Sequence, residues 1–225
     1  MKTNQKIFIV IPAYNESSVI GSVIKEIKIN GYRDIIIVDD GSTDHTANIA
    51  KRQGTMTIRH ILNRGKGAAA KTGIEAAKIL KADIVVTMDG DGQHNPKDIK
   101  RIVEAINKGD QIVLGNRLHR GNKVPAIRVI ANYFGNFFTW FIYGLWVKDS
   151  QSGFRAYSKK ALKMLNTNYD KYEFDSEIIR EIAKNNLKYS EIPIEVRYTE
   201  YALNKRHRQT FINGIKTMIR LVLSI

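Results

Sequence analysis

Four short runs of isoleucine and valine constrain the fold of this chain more than any other feature. They are continuous and cover Ile7–Ile11, Ile35–Val38, Ile84–Met88 and Ile112–Leu114. Runs of this kind are typical of parallel strands that are buried on both faces of a sheet. A weaker strand is predicted over Met56–Ile61. The first half of the chain is therefore expected to build a central sheet.

Periodic apolar patterns typical of helices fill the intervals between these runs. They cover Ser17–Ile29, Thr43–Arg52, Gly67–Leu80 and Pro96–Lys108. The expected caps or first-turn residues are Asn15 with Glu16, Ser42, and Asn95 with Pro96. Because strands and helices alternate over residues 1–115, we predict the α/β class, with a doubly wound, mainly parallel sheet flanked by helices.

The second half of the chain has a different pattern. Residues 129–147 carry no charged side chain, a stretch long enough to raise the question of a membrane span. If this stretch is a helix, its polar residues lie on one face and most of its phenylalanines lie off that face. The polar residues are Arg128, Asn132, Asn136, Thr139 and Tyr143. An aromatic, amphipathic helix with a basic start favours a helix in the membrane interface over a span. A core helix of a soluble fold is an equally open alternative.

The apolar strand at Ile84–Met88 runs directly into two carboxylates, Asp89 and Asp91, which are separated by Gly90. Ligands of open α/β folds bind at the carboxyl ends of the strands. Carboxylates in alternate positions suit a hard cation such as Mg²⁺ or Mn²⁺. A turn needs one Asp-Gly step rather than two, so this motif predicts a cation site. His94 is more typical of a surface residue than of a ligand.

The first two strands also end in polar loops. Tyr14 and Glu16 follow the first strand, and the adjacent acids Asp39 and Asp40 close the second. An acid at the end of the second strand can hydrogen-bond a ribose hydroxyl or a base edge. Capping of the following helices is the open alternative for these loops, although two adjacent acids exceed what a cap requires.

The charge of the chain is strongly basic, with 36 Lys and Arg against 22 Asp and Glu, a formal net charge of +14. Residues 111–148 and 202–225 contain no acidic residue at all. This balance predicts an anionic partner, such as a nucleic acid, a phosphorylated ligand or an anionic membrane. The chain has no cysteine, which excludes disulfides and thiolate metal sites.

Five motifs stand in the order found in family 2 inverting glycosyltransferases. They are Pro12–Glu16, Val38–Asp44, Asn63–Gly67, Asp89–Gln93 and Asp149–Arg155. Within that family the chain most resembles the dolichyl- and polyprenyl-phosphate sugar synthases of the dolichol-phosphate mannose synthase type. The resemblance covers about residues 6–205 and implies a Rossmann-like GT-A fold, a nucleoside-diphosphate sugar donor and Mg²⁺ or Mn²⁺.

The resemblance also implies a domain organisation. Residues 1–205 would form the catalytic domain, which includes an acceptor or interface helix over residues 126–146. Beyond the resemblance, Phe211, Ile215, Met218 and Val222 would share one face of a helix, so residues 206–225 are expected to form an amphipathic helix close to the membrane. Both helices of the second half are therefore expected to face the membrane.

A role for each matching residue follows from the same resemblance. The donor nucleotide would be bound by Pro12, Tyr14, Glu16, Asp39, Lys66, Asp89, Gly90, Arg197 and Lys205. The metal would be held by Asp89, Asp91 and Gln93. The acceptor phosphate would be bound by Arg117, Arg128 and Asn132. Catalysis is expected from Asp91, Arg117 and Arg128.

The implied reaction is metal-dependent, inverting transfer of a sugar, with GDP-mannose as the favoured donor, to dolichyl or polyprenyl phosphate. The protein would then be a dolichyl-phosphate hexosyltransferase of the mannosyltransferase kind. A phosphomonoester is mostly a dianion at neutral pH, because its second pKa is roughly 6. It therefore needs placement by basic residues more than a strong general base. A lipid acceptor implies a peripheral enzyme at the cytoplasmic face of an anionic membrane, or an anchored one if a membrane segment follows.

Several alternatives remain open. The same fold could use UDP-glucose or another UDP-sugar as donor, or a soluble saccharide as acceptor. A P-loop nucleotidase is suggested by Gly65 followed by Lys71 and Thr72, but Ala70 stands where that motif needs its last glycine. A nucleic-acid-binding protein is compatible with the net charge. The chain shows no recognition helix, so no nucleic-acid partner is expected.

Overall fold

The structure, a computed structural model, describes residues 5–118, 126–165 and 173–197. Its strands are β1 (Ile7–Ala13), β2 (Ile35–Asp39), β3 (Met56–Arg59), β4 (Ile84–Thr87), β5 (Ile112–Asn116), β6 (Arg155–Ser158) and β7 (Tyr189–Pro193). Its helices are α1 (Ile20–Ile29), α2 (Thr46–Arg52), α3 (Lys66–Ile79), α4 (Asp98–Asn107), α5 (Ala126–Tyr143), α6 (Lys159–Met164) and α7 (Glu173–Lys184).

The strands form one sheet in the order β3-β2-β1-β4-β6-β5-β7. All neighbouring strands are parallel except β6, which lies antiparallel between β4 and β5. The prediction of a mainly parallel sheet flanked by helices is confirmed. Strands β6 and β7 were not predicted, because both are short and carry polar residues.

Strands β1, β2, β4 and β5 are mostly apolar on both sides because helices cover both faces of the sheet. Ile9 and Ile11 pack with α1 and α4 on one face. Val10 and Ile36 pack with α3 and α7 on the other. Successive side chains of a strand point to opposite faces. The continuous isoleucine and valine runs therefore fill two cores at once.

Helix α3 lies so close to β1 and β2 that a side chain would not fit at Gly73. A Cβ atom added there would stand 2.3 Å from Val10 Cγ1 and 3.1 Å from Val38 Cγ2. Ala70, three residues earlier in the same helix, is also buried. The segment that resembles a phosphate loop is thus a close-packed helix face, and the P-loop interpretation is wrong.

Helix α5 is amphipathic with its polar side turned toward the protein. Asn136 and Thr139 are buried, and the side-chain amide of Asn136 donates to the carbonyl of Lys148 at 2.6 Å. The Asn136 amide oxygen accepts from the backbone and side chain of Ser150. The described side chains on its outer side are exposed aromatics: Tyr133, Phe137, Trp140 and Phe141. Among the described side chains, this exposure favours a helix at the surface over the alternative of a core helix.

The described part of the chain contains no helix that is both long enough and apolar enough to cross a membrane.

Helices α1, α2 and α4 begin later than predicted, at Ile20, Thr46 and Asp98. None of these three described helices has a side-chain hydrogen bond at its N-cap. The polar residues before α1 and α2 connect the two loops instead. Ser42 Oγ accepts from the backbone N–H of Asn15 at 2.9 Å, and Thr46 Oγ1 accepts from the backbone N–H of Glu16 at 2.8 Å. The expected caps therefore fasten the loops after β1 and β2 to each other.

Asp44 supplies a third connection between these loops, and its pKa makes the connection depend on pH. Its carboxylate accepts from the Ser17 amide at 3.1 Å and from the Thr46 amide at 2.9 Å. Partial burial raises the pKa of Asp44, but the hydrogen bonds from Thr46 and Ser17 outweigh it and lower the pKa to about 2.

We expect the free energy of unfolding of Asp44→Asn to depend less on pH in the acid range than that of the wild type. The native pKa lies below the unfolded value of roughly 3.9, so the stabilisation is complete above that value and is lost as pH falls toward about 2. Urea unfolding at several pH values measures the slope. Thr46 Oγ1 also donates to Asp44 Oδ1, and Thr46→Val, which removes this donor but keeps the backbone amide, should give an intermediate slope. An unchanged slope in Asp44→Asn would contradict the assignment.

Candidate active site

The carboxyl ends of β1, β2 and β4 bring the predicted polar loops together at one edge of the sheet. Ala13 pairs with Asp39 in the β1–β2 register, and the Asp40 amide donates to the Ala13 carbonyl at 2.8 Å. The Met88 amide donates to the Val10 carbonyl just before the Asp89 motif. The loop before β6 reaches the same edge because β6 lies antiparallel beside β4. The loop after β5 also reaches it, because β5 lies on the other side of β6 and is antiparallel to it.

An ion pair between Lys66 and Asp89 lies at this edge. Lys66 is the first residue of α3, and its Nζ lies 2.7 Å from Asp89 Oδ1. Burial lowers the pKa of Lys66, but the charge of Asp89 outweighs it and leaves that pKa raised. Burial raises the pKa of Asp89, and Lys66 likewise reverses the shift and leaves it lowered. Both groups are therefore charged at neutral pH.

Gly153 gives this ion pair the room it needs. A Cβ atom added to Gly153 would lie 2.5 Å from Lys66 Nζ and 2.6 Å from Asp89 Oδ1. The carbonyl of Gly153 accepts a hydrogen bond from Thr87 Oγ1 at 2.9 Å, which ties it to the end of β4. The sequence motif contains this glycine, but only the packing shows that it borders the ion pair.

Arg117 follows β5 and is held in one orientation by Asp149. Its Nε and Nη2 donate to the two carboxylate oxygens of Asp149 at 2.8 Å each, and its backbone amide donates at 2.9 Å. Asp149 is buried. Burial lowers the pKa of Arg117, but the charge of Asp149 outweighs it and leaves that pKa raised. A two-pronged pair of this kind fixes the plane of the guanidinium.

Arg155 joins the loop before β6 to the start of α7. Its guanidinium is buried and donates to the carbonyls of Ser150, Ser152 and Asp175, at 2.6, 2.8 and 2.9 Å. The Asp175 carboxylate lies 3.4 Å from the Arg155 guanidinium. Burial raises the pKa of Asp175, and the charges of Lys66 and Arg155 offset only part of that shift. Sequence reasoning assigned no role to Asp149 and Arg155, although both belong to the last of the five motifs, and it missed Asp175, because only the tertiary fold pairs these residues.

His94 is buried rather than exposed, so the expectation of a surface residue is wrong. Its ring packs against Phe154, with centroids 5.0 Å apart. Nδ1 accepts a hydrogen bond from the Asp89 amide at 3.2 Å, so the neutral ring carries its proton on Nε2. Nε2 lies 3.9 Å from Asp89 Oδ2. Burial lowers the pKa of His94, although Asp89 and Asp91 act in the opposite sense.

Asp89 and Asp91 form a pair that suits a divalent cation. Burial raises the pKa of Asp91, and the charge of Asp89 raises it further, a repulsion that a cation between them would relieve. No three His, Cys, Asp or Glu residues in the described ranges lie close enough to bind a metal together. The two carboxylates still fit Mg²⁺ or Mn²⁺, because Mg²⁺ commonly takes one or two carboxylates and completes its shell with waters and substrate phosphates. Gln93 is buried beside them, and its backbone N–H donates to Asp91 Oδ1 at 3.0 Å.

A segment near the end of the described chain crosses the Asp91 loop. Val196 forms a β-bridge with His94, and the Arg197 amide donates to the Gln93 carbonyl at 2.8 Å. The Arg197 guanidinium donates to Glu26 on α1 at 2.7 Å. Arg197 thus lies beside the Asp91 loop, next to a cavity of about 170 Å³ that Asp91 and Glu26 also line.

The other predicted donor residues lie at the β1–β2 end of the same edge. Asp39 is fully buried, and Arg59 Nε lies 3.1 Å from its Oδ2. Glu16 is buried and Tyr14 is exposed. Pro12 is buried in β1.

Gly90 connects this end of the edge to the carboxylate pair. A Cβ atom added to Gly90 would stand 3.3 Å from the Pro12 carbonyl oxygen. The side chains of Arg128 and Asn132, and all of Lys205, lie outside the described part of the chain.

Comparison with known proteins agrees with this architecture. The sequence model of "Glycosyl transferase family 2" matches residues 8–165. An uncharacterized protein of Methanocaldococcus jannaschii is 41% identical over 224 residues, covering 97% of this chain and 91% of the relative. The UDP-N-acetylglucosamine–dolichyl-phosphate N-acetylglucosaminyltransferase of Methanococcus voltae is 37% identical over 240 residues, covering 96% and 95%. The polyprenol monophosphomannose synthase of Mycolicibacterium smegmatis is 25% identical over 218 residues, covering 91% and 82%.

Solved structures agree in fold. The glucosyl-3-phosphoglycerate synthase of Mycobacterium tuberculosis, in complex with Mn²⁺, UDP and phosphoglyceric acid, superposes with a TM-score of 0.68 at 20% identity. The likeness covers 96% of this chain and 78% of that one, and at this identity it supports the GT-A fold alone. With the family model spanning most of the chain, the protein belongs to glycosyl transferase family 2.

Proposed function

We propose that this glycosyltransferase transfers a sugar from a nucleoside-diphosphate sugar to dolichyl or polyprenyl phosphate. The observation that carries the proposal is the arrangement of two cations, Lys66 and Arg117, around the carboxylates that follow β4. A diphosphate leaving group and a phosphate nucleophile both bring negative charge to one place, and both need cations to offset it. The name of the Methanococcus voltae relative includes dolichyl phosphate as its acceptor, in agreement with this chemistry.

The donor nucleotide is proposed to lie along the edge from β2 to β4. Pro12, Tyr14, Glu16 and Asp39 would contact the nucleoside, since they stand at the carboxyl ends of β1 and β2. Lys66, Asp89 and Gly90 would border the diphosphate. Arg197 would approach from the Asp91 side, where the segment that bears it already contacts the Gln93 carbonyl. Lys205 stays a proposal from the sequence alone.

Asp89 and Asp91 are proposed to hold Mg²⁺ or Mn²⁺, with Gln93 beside them. The metal would neutralise charge on the departing diphosphate. Lys66 keeps Asp89 ionised and adds its own positive charge on the same side. His94 contributes through its hydrogen bond to the Asp89 backbone, which fixes the start of the loop that carries both acids.

The acceptor phosphate is proposed to bind at Arg117, with Arg128 and Asn132 completing the site from α5. Asp149 holds the Arg117 guanidinium in one orientation, which reduces the freedom that the residue would lose on binding a phosphate. A phosphate dianion attacks without prior loss of a proton, since its second pKa is roughly 6. Attack in line with the leaving diphosphate inverts the anomeric carbon.

The outer side of α5 is proposed to contact the membrane that holds the lipid acceptor. Its exposed aromatics are typical of residues at the level of lipid headgroups. The same helix bears Arg128 and Asn132, so contact with the membrane would bring the lipid phosphate toward Arg117. Attraction between the net charge of +14 and anionic lipids would add to this contact. The protein would then work as a peripheral enzyme at the cytoplasmic face.

The donor sugar is best decided by assay. UDP-N-acetylglucosamine is the donor we propose first, because the relative that is 37% identical carries it in its name. GDP-mannose, which the sequence resemblance favours, is the second, and a polyprenol monophosphomannose synthase stands among the relatives. In the test, the protein is incubated with dolichyl phosphate, Mn²⁺ and one radiolabelled donor at a time: UDP-N-acetylglucosamine, GDP-mannose or UDP-glucose. Formation of a lipid-linked sugar is the expected result.

Failure to form a lipid-linked product with any donor would contradict the proposal. A product on a soluble saccharide would favour the second candidate of the same fold. In that case Arg128→Ala should have little effect on the rate, and added lipid or detergent should not matter.

Asp91→Ala is expected to abolish both transfer and its dependence on metal. Loss of one electrostatic partner in a preorganised site costs about a hundredfold to a thousandfold in rate, and loss of the metal adds to this. Initial rates against Mn²⁺ concentration measure the effect. Asp34→Asn, an exposed acid before β2, removes the same charge outside the site and should behave like the wild type. Metal-dependent transfer by Asp91→Ala would disprove the role.

Serine at Phe137, Trp140 and Phe141 is expected to weaken binding to lipid vesicles, on the order of tenfold for each side chain. Sedimentation with vesicles of phosphatidylcholine and phosphatidylglycerol measures binding. Ile29→Ser and Ile79→Ser remove exposed apolar side chains from α1 and α3 and serve as controls. Equal binding by the triple variant and the controls would contradict a membrane role for α5.

A further inference from the structure

Asp40 has no part in the proposed reaction, yet its carboxylate is among the most fully engaged in the molecule. It is 2% exposed. Its Oδ1 accepts from the Arg64 amide at 3.0 Å, and its Oδ2 accepts from the Gly65 amide at 2.7 Å. The neighbouring Asp39 contacts Arg59 and the Ser42 amide instead. The two adjacent acids therefore serve different partners.

His60 extends the contact from Asp40 into α3. Its Nδ1 donates to Asp40 Oδ1 at 2.7 Å, and its Nε2 is hydrogen-bonded to Thr72 Oγ1 at 3.0 Å. The His60 amide also donates to the Asp39 carbonyl at 2.9 Å, so the ring is anchored to the end of β2. Asp40, His60 and Thr72 thus connect β2, the 60–65 loop and the second turn of α3.

These contacts meet where α3 begins. Gly65 is the N-cap of α3 and has a φ of 107°, a conformation that favours glycine. The next residue is Lys66, whose ammonium contacts Asp89. A carboxylate at the amide end of a helix is also favourable for the helix dipole. The direction in which α3 presents Lys66 therefore depends on how Asp40 holds the two amides before it.

We propose that Asp40, together with His60, is a positioning residue that fixes the start of α3 so that Lys66 lies against Asp89. The inference rests on the proposed function, because the position of Lys66 affects catalysis only if the site binds a diphosphate. Asp40 touches neither donor nor acceptor in this account. It acts through Lys66, and this distinguishes it from a residue that merely stabilises the fold.

A double-mutant cycle on the full chain tests the inference. Asp40→Asn keeps the shape of the side chain but replaces one acceptor oxygen with an amide donor, so one backbone amide loses its partner. We expect this to lower kcat/KM for lipid-linked sugar formation by about tenfold, the scale of a hydrogen bond to a charged group. In a Lys66→Met background the same change should cost less than about twofold, since residues that act through one another are not additive.

Asp83→Asn is the matched control, because Asp83 also accepts from a backbone amide, that of Lys6, but at the opposite end of β4. It should leave kcat/KM unchanged. Thr72→Val breaks only the contact with His60 and should give a smaller loss than Asp40→Asn, again only when Lys66 is present. Equal losses from Asp40→Asn with and without Lys66, or an equal loss from Asp83→Asn, would overturn the inference.

Hydrogen–deuterium exchange separates failure of this inference from failure of the proposed function, because it needs no substrate. Exchange over residues 60–66 should rise in Asp40→Asn and stay at the wild-type level in Asp83→Asn. Unchanged exchange in Asp40→Asn would overturn the inference even in an active enzyme. A wild type without transfer activity, but with the expected exchange difference, would reject the proposed function and leave Asp40 without a catalytic role.

Discussion

The ion pair between Lys66 and Asp89 is the contact on which the rest of the site depends. It joins the start of α3, which packs on one face of the sheet, to the loop that follows β4. Each partner is partly withdrawn from water, and each stabilises the charged form of the other. Gly153 leaves room for the pair, and Asp40 holds the amides beside Lys66. The geometry of the site follows from keeping these two charges together.

Acidic and basic side chains alternate around this pair, so the site can accept strongly charged ligands without a large excess of either sign. Arg117 is paired with Asp149, and Arg155 joins Asp175 to the loop before β6. Asp91 is less well compensated, since burial and Asp89 both raise its pKa. That leaves a place for a divalent cation, which in turn suits a diphosphate. A helix with buried polar residues and exposed aromatics stands beside this centre, as a lipid acceptor would require.

The sequence patterns predicted the first half of the fold well, because buried strands and amphipathic helices are local features. Asp89 and Asp91 could be found for the same reason, since they directly follow an apolar run. The partners of these acids could not be found this way. Arg117 meets Asp149, which lies 32 positions later in the sequence, only because the chain folds back. The buried ring of His94 likewise packs against Phe154, which is distant in the sequence. Sites that depend on such contacts need the tertiary structure.

Titration of UDP and GDP into the protein by calorimetry, with and without Mn²⁺, tests the central claim most directly. The claim is that the carboxylates after β4 and the cation Lys66 together bind a metal–diphosphate unit. We predict that at least one nucleotide binds and that Mn²⁺ strengthens the binding by tenfold or more. Lys66→Met should weaken the binding free energy by about the contribution of one hydrogen bond to a charged group. Binding that is equally tight without metal and without Lys66, or no binding of either nucleotide, would contradict the account.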